Sequence, residues 1–289
     1  MKLTMLFSTP EELIAQIKTL PSSPQLMQRM LLLLDDPDST VDSLVEVIQL
    51  ERSLAARVVH LANSPIYNGG SCGSIEEAVQ RLGYATVHEA VMTIMAIETF
   101  SKSLRVYRCP TKVLWRQALA TACAARELAR QTNEDVNRAY TLGLLHNVGM
   151  VAIDRLVQLR DPNVYLICES WPEEWQASEV TLLGFDQAEI SATMMRSWGF
   201  PEEMIEAVKY QFRPGAAPNS PTLAALLWTA RWVRRQVCTT ELVCQLPDND
   251  IIRRLRLKVA DLETVAQKVA VEVEVLAKTL NLDQVSAAA

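Results

Sequence analysis

The chain contains three histidines, His60, His88 and His146, and none lies within four residues of another. A hydrolytic metal centre groups imidazoles and carboxylates so that one or two divalent ions can polarise a phosphate and acidify an attacking water. With the histidines this scattered, such a centre would have to be assembled wholly by the fold. Six cysteines (Cys72, Cys109, Cys123, Cys168, Cys238 and Cys244) include no Cys-x-x-Cys pair, which argues against a zinc site and for reduced, structural thiols. The sequence has no phosphate-cradling glycine loop, no Gly-x-Ser-x-Gly elbow and no dinucleotide fingerprint. The acidic group Glu169, Glu173, Glu174 and Glu179 holds enough carboxylates for an acid–base pair, but its setting reads as a solvated loop and helix face.

Two basic groups stand out: Arg231, Arg234 and Arg235, then Arg253, Arg254, Arg256 and Lys258. Three- and four-residue spacings would place several of these on shared helix faces, where the ordinary reading is a solvated surface. The six tryptophans all lie from Trp115 onward. Most of them read as core, and the core reading leads for Trp171 and Trp175 too; the alternative is that this pair, set among prolines and acids, forms with Arg234 and Arg235 a candidate surface for a protein partner, since interface hot spots favour Trp and Arg.

Positioning such residues falls to helices. Apolar residues are 49% and charged residues 21% of the chain, an ordinary globular balance, and nine glycines in 289 residues suit helices joined by short turns. Helix starts are legible at Thr9-Pro10-Glu11-Glu12, Ser23-Pro24, Ser74-Ile75-Glu76-Glu77, Thr86-Val87-His88-Glu89, Asp186-Gln187-Ala188-Glu189 and Pro201-Glu202-Glu203. Between them Leu26, Met27, Met30, Leu31 and Leu34, or Leu44, Val45 and Ile48, recur at helical spacing. Gly83 stands where a helix would end. The expected fold is all-α, with an N-terminal helical bundle subdomain (1–105), a second helical subdomain (106–247) and a C-terminal amphipathic helical extension (248–283). A formal net charge of −6 argues against a nucleic-acid-coating surface. The longest uncharged stretches are broken by polar residues and fall short of a bilayer span, so a cytoplasmic location is expected.

Three stretches carry a resemblance. They are Leu61-Ala62-Asn63-Ser64-Pro65-Ile66-Tyr67 with Ser74 to Gly83; Leu114-Trp115-Arg116-Gln117 leading to Gly143-Leu144-Leu145-His146-Asn147-Val148-Gly149; and Leu183-Gly184-Phe185-Asp186-Gln187-Ala188-Glu189 with Trp198-Gly199-Phe200-Pro201. In this order they resemble the HDOD domain, a bacterial signalling relative of the HD-type metal-dependent phosphohydrolases, over about residues 20–237. The resemblance implies an HD-like second subdomain whose ligand positions have changed. Gln117 stands where the early His belongs, Asn147 replaces the Asp beside His146, and Arg231 falls near the later Asp. Gln187 also lies where relatives often carry His.

The resemblance therefore implies a vestigial pocket of Gln117, His146, Asn147, Gln187 and Arg231, with no catalytic residues, no metal and no cofactor. His146 is expected to be buried and hydrogen-bonded to a polar neighbour such as Gln117 or Asn147. The implied role is a non-enzymatic regulator or scaffold contacting a kinase, a response regulator or a cyclic-di-GMP enzyme, with no membrane or nucleic-acid partner and with a homodimer left open. Two alternatives stand beside it: a nucleotide sensor using the old pocket, and a residual metal-dependent phosphohydrolase.

Overall fold

The computed structural model describes residues 9–16, 24–35, 39–50, 52–67, 69–166, 175–238 and 248–280. Among these the fold is all-α, without a strand; two residues, Leu104 and Cys109, form an isolated antiparallel bridge. The helices are α1 (Pro10–Ala15), α2 (Pro24–Asp35), α3 (Val41–Gln49), α4 (Arg52–Ala62), α5 (Ile75–Leu82), α6 (Tyr84–Thr99), α7 (Thr111–Thr132), α8 (Val136–Leu145), α9 (Val148–Arg160), α10 (Trp175–Leu183), α11 (Gln187–Ser197), α12 (Glu202–Lys209), α13 (Pro221–Cys238), α14 (Asn249–Leu255) and α15 (Val259–Thr279). No described helix is long and apolar enough to cross a membrane.

Several helix starts form as their residues dictate. The Thr9 hydroxyl accepts the Glu12 N–H with Pro10 in the first turn. Ser74 accepts from Glu77 N–H, and Asp186 with Glu189 completes a reciprocal capping box. Thr86 is different: it lies inside α6, which opens two residues earlier at Tyr84. Gly83, at φ 84°, ends α5 and begins α6 in one residue, a conformation glycine adopts without steric cost. The C-terminal amphipathic extension is made of two helices. Arg256 takes the left-handed conformation (φ 56°) and closes α14 before α15 begins.

One apolar core runs from Leu13 to Ala277. Its centre is α7, whose inward face is so rich in alanine that α8 and α13 approach closely. An Ala-lined face of this kind leaves little room for the neighbouring helix to be anything but small at the crossing. Gly143 on α8 fills that role against Ala122. The C-terminal helix is fastened to this centre by charge as well as packing. Arg126 on α7, only 9% exposed, reaches Glu89 on α6 at 3.1 Å and Glu272 on α15 at 2.5 Å. Carboxylates from two other helices thus meet one guanidinium, the arrangement a nearly buried arginine needs.

The loop after α4 is fixed by a side chain. Asn63 donates its amide N–H to the Cys72 carbonyl at 2.9 Å and accepts the Cys72 N–H at 2.7 Å. Asn63 thereby plays the part of a missing strand partner, which its bland appearance as a helix-ending residue does not reveal. Replacing Asn63 with Ala removes both bonds and leaves the Cys72 backbone to find others. The expected loss is about 1–3 kcal/mol, checked by urea denaturation, with Asn63→Asp recovering less than half because only the acceptor remains.

Candidate functional site

The chain breaks between α8 and α9 at His146-Asn147, and this break is where polar side chains converge in the core. His146 caps α8, still in helical conformation, while Asn147 at φ −116°, ψ 17° turns the chain into α9. Gly149 permits the turn to sit against α11, since a Cβ there would lie 2.3 Å from the Gln187 carbonyl oxygen. Its N–H donates to Ser191 Oγ at 2.8 Å, and that hydroxyl donates to Gln187 Oε1 at 3.2 Å. From the far side α13 contributes Arg231 and Arg234, three residues and so about one helical turn apart.

His146 is 1% exposed. Its Nδ1 lies 2.7 Å from the Gly143 carbonyl oxygen. A carbonyl accepts only, so the proton is on Nδ1 and the Nε2 lone pair is the free face of the ring. That lone pair meets Arg234 Nη1 at 3.4 Å. Burial, followed by the charges of Arg234 and Arg231, holds the imidazole well below its ordinary pKa. The ring is therefore neutral, with its only ligating nitrogen facing a guanidinium. His146 bonds neither Gln117 nor Asn147, contrary to expectation; its partners are a carbonyl one turn back and an arginine from α13.

Around it Gln211 donates Nε2–H to the His146 carbonyl at 2.8 Å, and Arg231 donates from Nη1 to the Gln211 carbonyl at 3.0 Å. The Arg231 guanidinium also lies over the Phe212 ring, 4.3 Å from its centroid, a favourable cation–π arrangement. The residual cavity is about 10 Å³, lined by His146, Asn147, Gln187, Trp175, Arg231 and Arg234 among others. That is room for about one water molecule. Asn147, 2% exposed, has neither its amide oxygen nor its amide nitrogen hydrogen-bonded among the described residues. A single water would satisfy it; a nucleotide has no space there.

Four of the five positions expected to form the vestigial pocket do meet: His146, Asn147, Gln187 and Arg231. Gln117 is buried on α7 but does not line this cavity. Three other expectations need correction. Arg234 is 1% exposed and plugs the pocket, so it is not part of a partner surface. Trp175 lies in the core, as its leading reading has it and against its place on a partner surface, edge-on to Tyr107 at 4.9 Å, while Arg235 is half-buried and Trp171 lies outside the described residues. Glu179, expected with its acidic neighbours to be solvated, is fully buried. Its carboxylate accepts the Tyr107 hydroxyl at 2.8 Å and the Gln187 N–H at 2.7 Å. Burial nonetheless pushes its pKa up to about 7. The remaining members of that group, Glu169, Glu173 and Glu174, lie outside the described residues.

The HDOD domain profile matches residues 20–214, two thirds of the chain. The chain belongs to the HDOD family. An HDOD domain protein from Geobacter sulfurreducens has the same fold, with a TM-score of 0.70, 24% identity and coverage of 94% of this chain and 97% of that one. A Shewanella amazonensis protein named "Putative phosphohydrolase" aligns at TM-score 0.66 and 25% identity over 93% and 97% of the two chains. A "Putative signal transduction protein" from Marinobacter aquaeolei aligns at TM-score 0.68 and 24% identity, covering 91% of this chain and 60% of that one. A comparison with curated proteins finds no match.

The resemblance to HD-type metal-dependent phosphohydrolases implies a divalent ion, so the pocket's donors can be tested for fit. A divalent ion here would meet one neutral imidazole already facing a guanidinium, two side-chain amides and two arginines. Each unit-charge pair at 4 Å repels by roughly 4 kcal/mol at an effective dielectric near 20, and the ion carries two charges against two guanidiniums. Among the described residues no three His, Cys, Asp or Glu side chains gather in a way that could hold a metal. The donor set does not fit the ion.

Proposed function

We propose that this HDOD protein is a non-enzymatic signalling module that works by contacting other signalling proteins, of the kinase, response-regulator or cyclic-di-GMP enzyme class. The observation that carries the reading is the approach of Arg234 to His146 Nε2. It places a fixed positive charge on the one atom that would have to bind metal. A side chain so placed makes the pocket a structural strut between α8 and α13. What remains for function is the surface, the family's association with signalling, and a structural relative whose name is that of a signal transduction protein.

The phosphohydrolase reading draws on the Shewanella relative's name, but the chemistry of this chain's pocket gives it no metal ligands and no room for substrate. The nucleotide-sensing reading meets the same limit of volume inside the pocket. Both are tested together. Protein purified without added metal is analysed for divalent metals by mass spectrometry, then assayed against phosphomonoesters, nucleotides and cyclic dinucleotides with added Mg2+ or Mn2+. Substoichiometric metal and hydrolysis no faster than a buffer blank are the expected results. One equivalent of bound metal, together with turnover lost in His146→Ala, would defeat the reading.

A further inference from the structure

A second cavity lies beside the plugged pocket, and Phe212 lines both. It is a cleft of about 320 Å³ between α13, α14 and the turn Pro214–Ala216. That volume is at the lower end of the roughly 300–1,000 Å³ typical of ligand sites, enough for one nucleoside unit and too small to enclose a dinucleotide.

Its lining combines three chemistries. Phe212 and Trp228, both half-buried, supply aromatic surface; Arg213 and Arg254, both exposed, supply guanidinium groups; Asp248 and Asp250 supply carboxylates. The Asp248 carboxylate already accepts the Asp250 N–H at 2.8 Å, as the cap of α14. Among the described residues the Asp250 carboxylate is held by an exposed pair with Arg253 at 3.3 Å, the kind of contact that a ligand displaces at little cost. Aromatic rings hold planar bases by stacking, and arginines recognise phosphate through paired N–H groups. A carboxylate accepts two hydrogen bonds side by side, and guanine offers two adjacent donors, N1–H and the N2 amino group. Adenine offers one donor beside an unprotonated N1 that a carboxylate repels.

We propose that this cleft binds a guanine mononucleotide, with the base against Phe212 and Trp228, its donor edge on Asp250 and its phosphate on Arg213 and Arg254. The site is outside the His146 pocket, so the assignment stands or falls apart from the signalling reading. Because Phe212 also carries Arg231 on its ring, a ligand in the cleft would press on the wall of the plugged pocket.

The test is calorimetric titration of the full chain with GMP, alongside AMP and inorganic phosphate, with tryptophan emission followed in parallel. GMP is expected to bind with a Kd below about 1 mM, AMP about tenfold more weakly, and phosphate more weakly still. Arg254→Ala and Asp250→Asn alter exposed side chains and leave the thermal midpoint unchanged. Each is expected to weaken GMP binding by about tenfold, and Asp250→Asn to narrow the gap between GMP and AMP. Absence of binding up to about 1 mM, equal affinity for AMP, phosphate as tight as GMP, or indifference to both substitutions would overturn the proposal.

Discussion

Replacing Gly143 with alanine is expected to lower stability by about 3 kcal/mol, the upper part of the range for overpacking a filled core. A Cβ at this position would lie 2.5 Å from Ala122 Cα, 2.7 Å from its nitrogen and 2.8 Å from the Thr121 carbonyl oxygen. All three are backbone atoms of α7, so no side chain can swing away, and the two helices must separate. Separation also draws His146 from its place, because the Gly143 carbonyl is the acceptor that fixes the imidazole tautomer. Urea denaturation measures the effect directly. Gly215→Ala is the control, since a Cβ added there would meet nothing within 4 Å; it should leave the midpoint unchanged within error.

The second large effect is on the pH dependence of stability. His88, on α6, is buried, and burial lowers its pKa from 6.5 to about 4. The unfolded chain takes up this proton near pH 6.5 and the folded chain does not, so falling pH favours unfolding. The stability is present in full above 6.5 and is lost as pH falls from there towards 4, by roughly 3 kcal/mol at 1.36 kcal/mol per unit. Asp154 and Glu179 work the other way. Burial raises them to about 6 and about 7, so each folded carboxyl binds its proton first and stability declines as pH rises through those values. The His88 contribution is therefore read as a difference. The stability of wild type minus that of His88→Leu should fall by roughly 3 kcal/mol between pH 7 and pH 4, whatever the absolute curves do. A difference that is flat with pH would show that His88 titrates normally in the folded protein.

The helical class and several of its punctuation marks are readable from residue types alone, because caps and turns are local chemistry. Thr9, Ser74, Asp186 and Gly83 act within three or four residues of themselves, and the structure uses each as its type suggests. Thr86 fails as a helix start because the glycine before α6 already supplies the turn, and a favourable cap residue is then simply enclosed. Arg256 closes α14 ahead of α15 without any of the usual signals, since arginine rarely adopts a left-handed conformation.

The pocket is half legible. His146, Asn147, Gln187 and Arg231 meet as the family resemblance implies, but Gln117 does not line the cavity. Residue type alone places Arg234 on the surface, because charged side chains are usually solvated. The signal that corrects this is its three-residue spacing from Arg231, which puts both on one face of α13. For Glu179 no comparable local signal exists. Its partners, Tyr107 and Gln187, are 72 and 8 residues away, and only the tertiary fold makes a buried carboxylate there acceptable.

Imidazole nitrogen NMR on 15N-labelled protein reads out whether His146 is a neutral strut whose Nε2 is engaged by Arg234. An Nδ1-protonated ring that stays neutral as pH is lowered through the ordinary imidazole range is expected, with signals that remain sharp when excess paramagnetic Mn2+ is added. Selective loss of the His146 resonances on adding Mn2+, restored by a chelator, would contradict it.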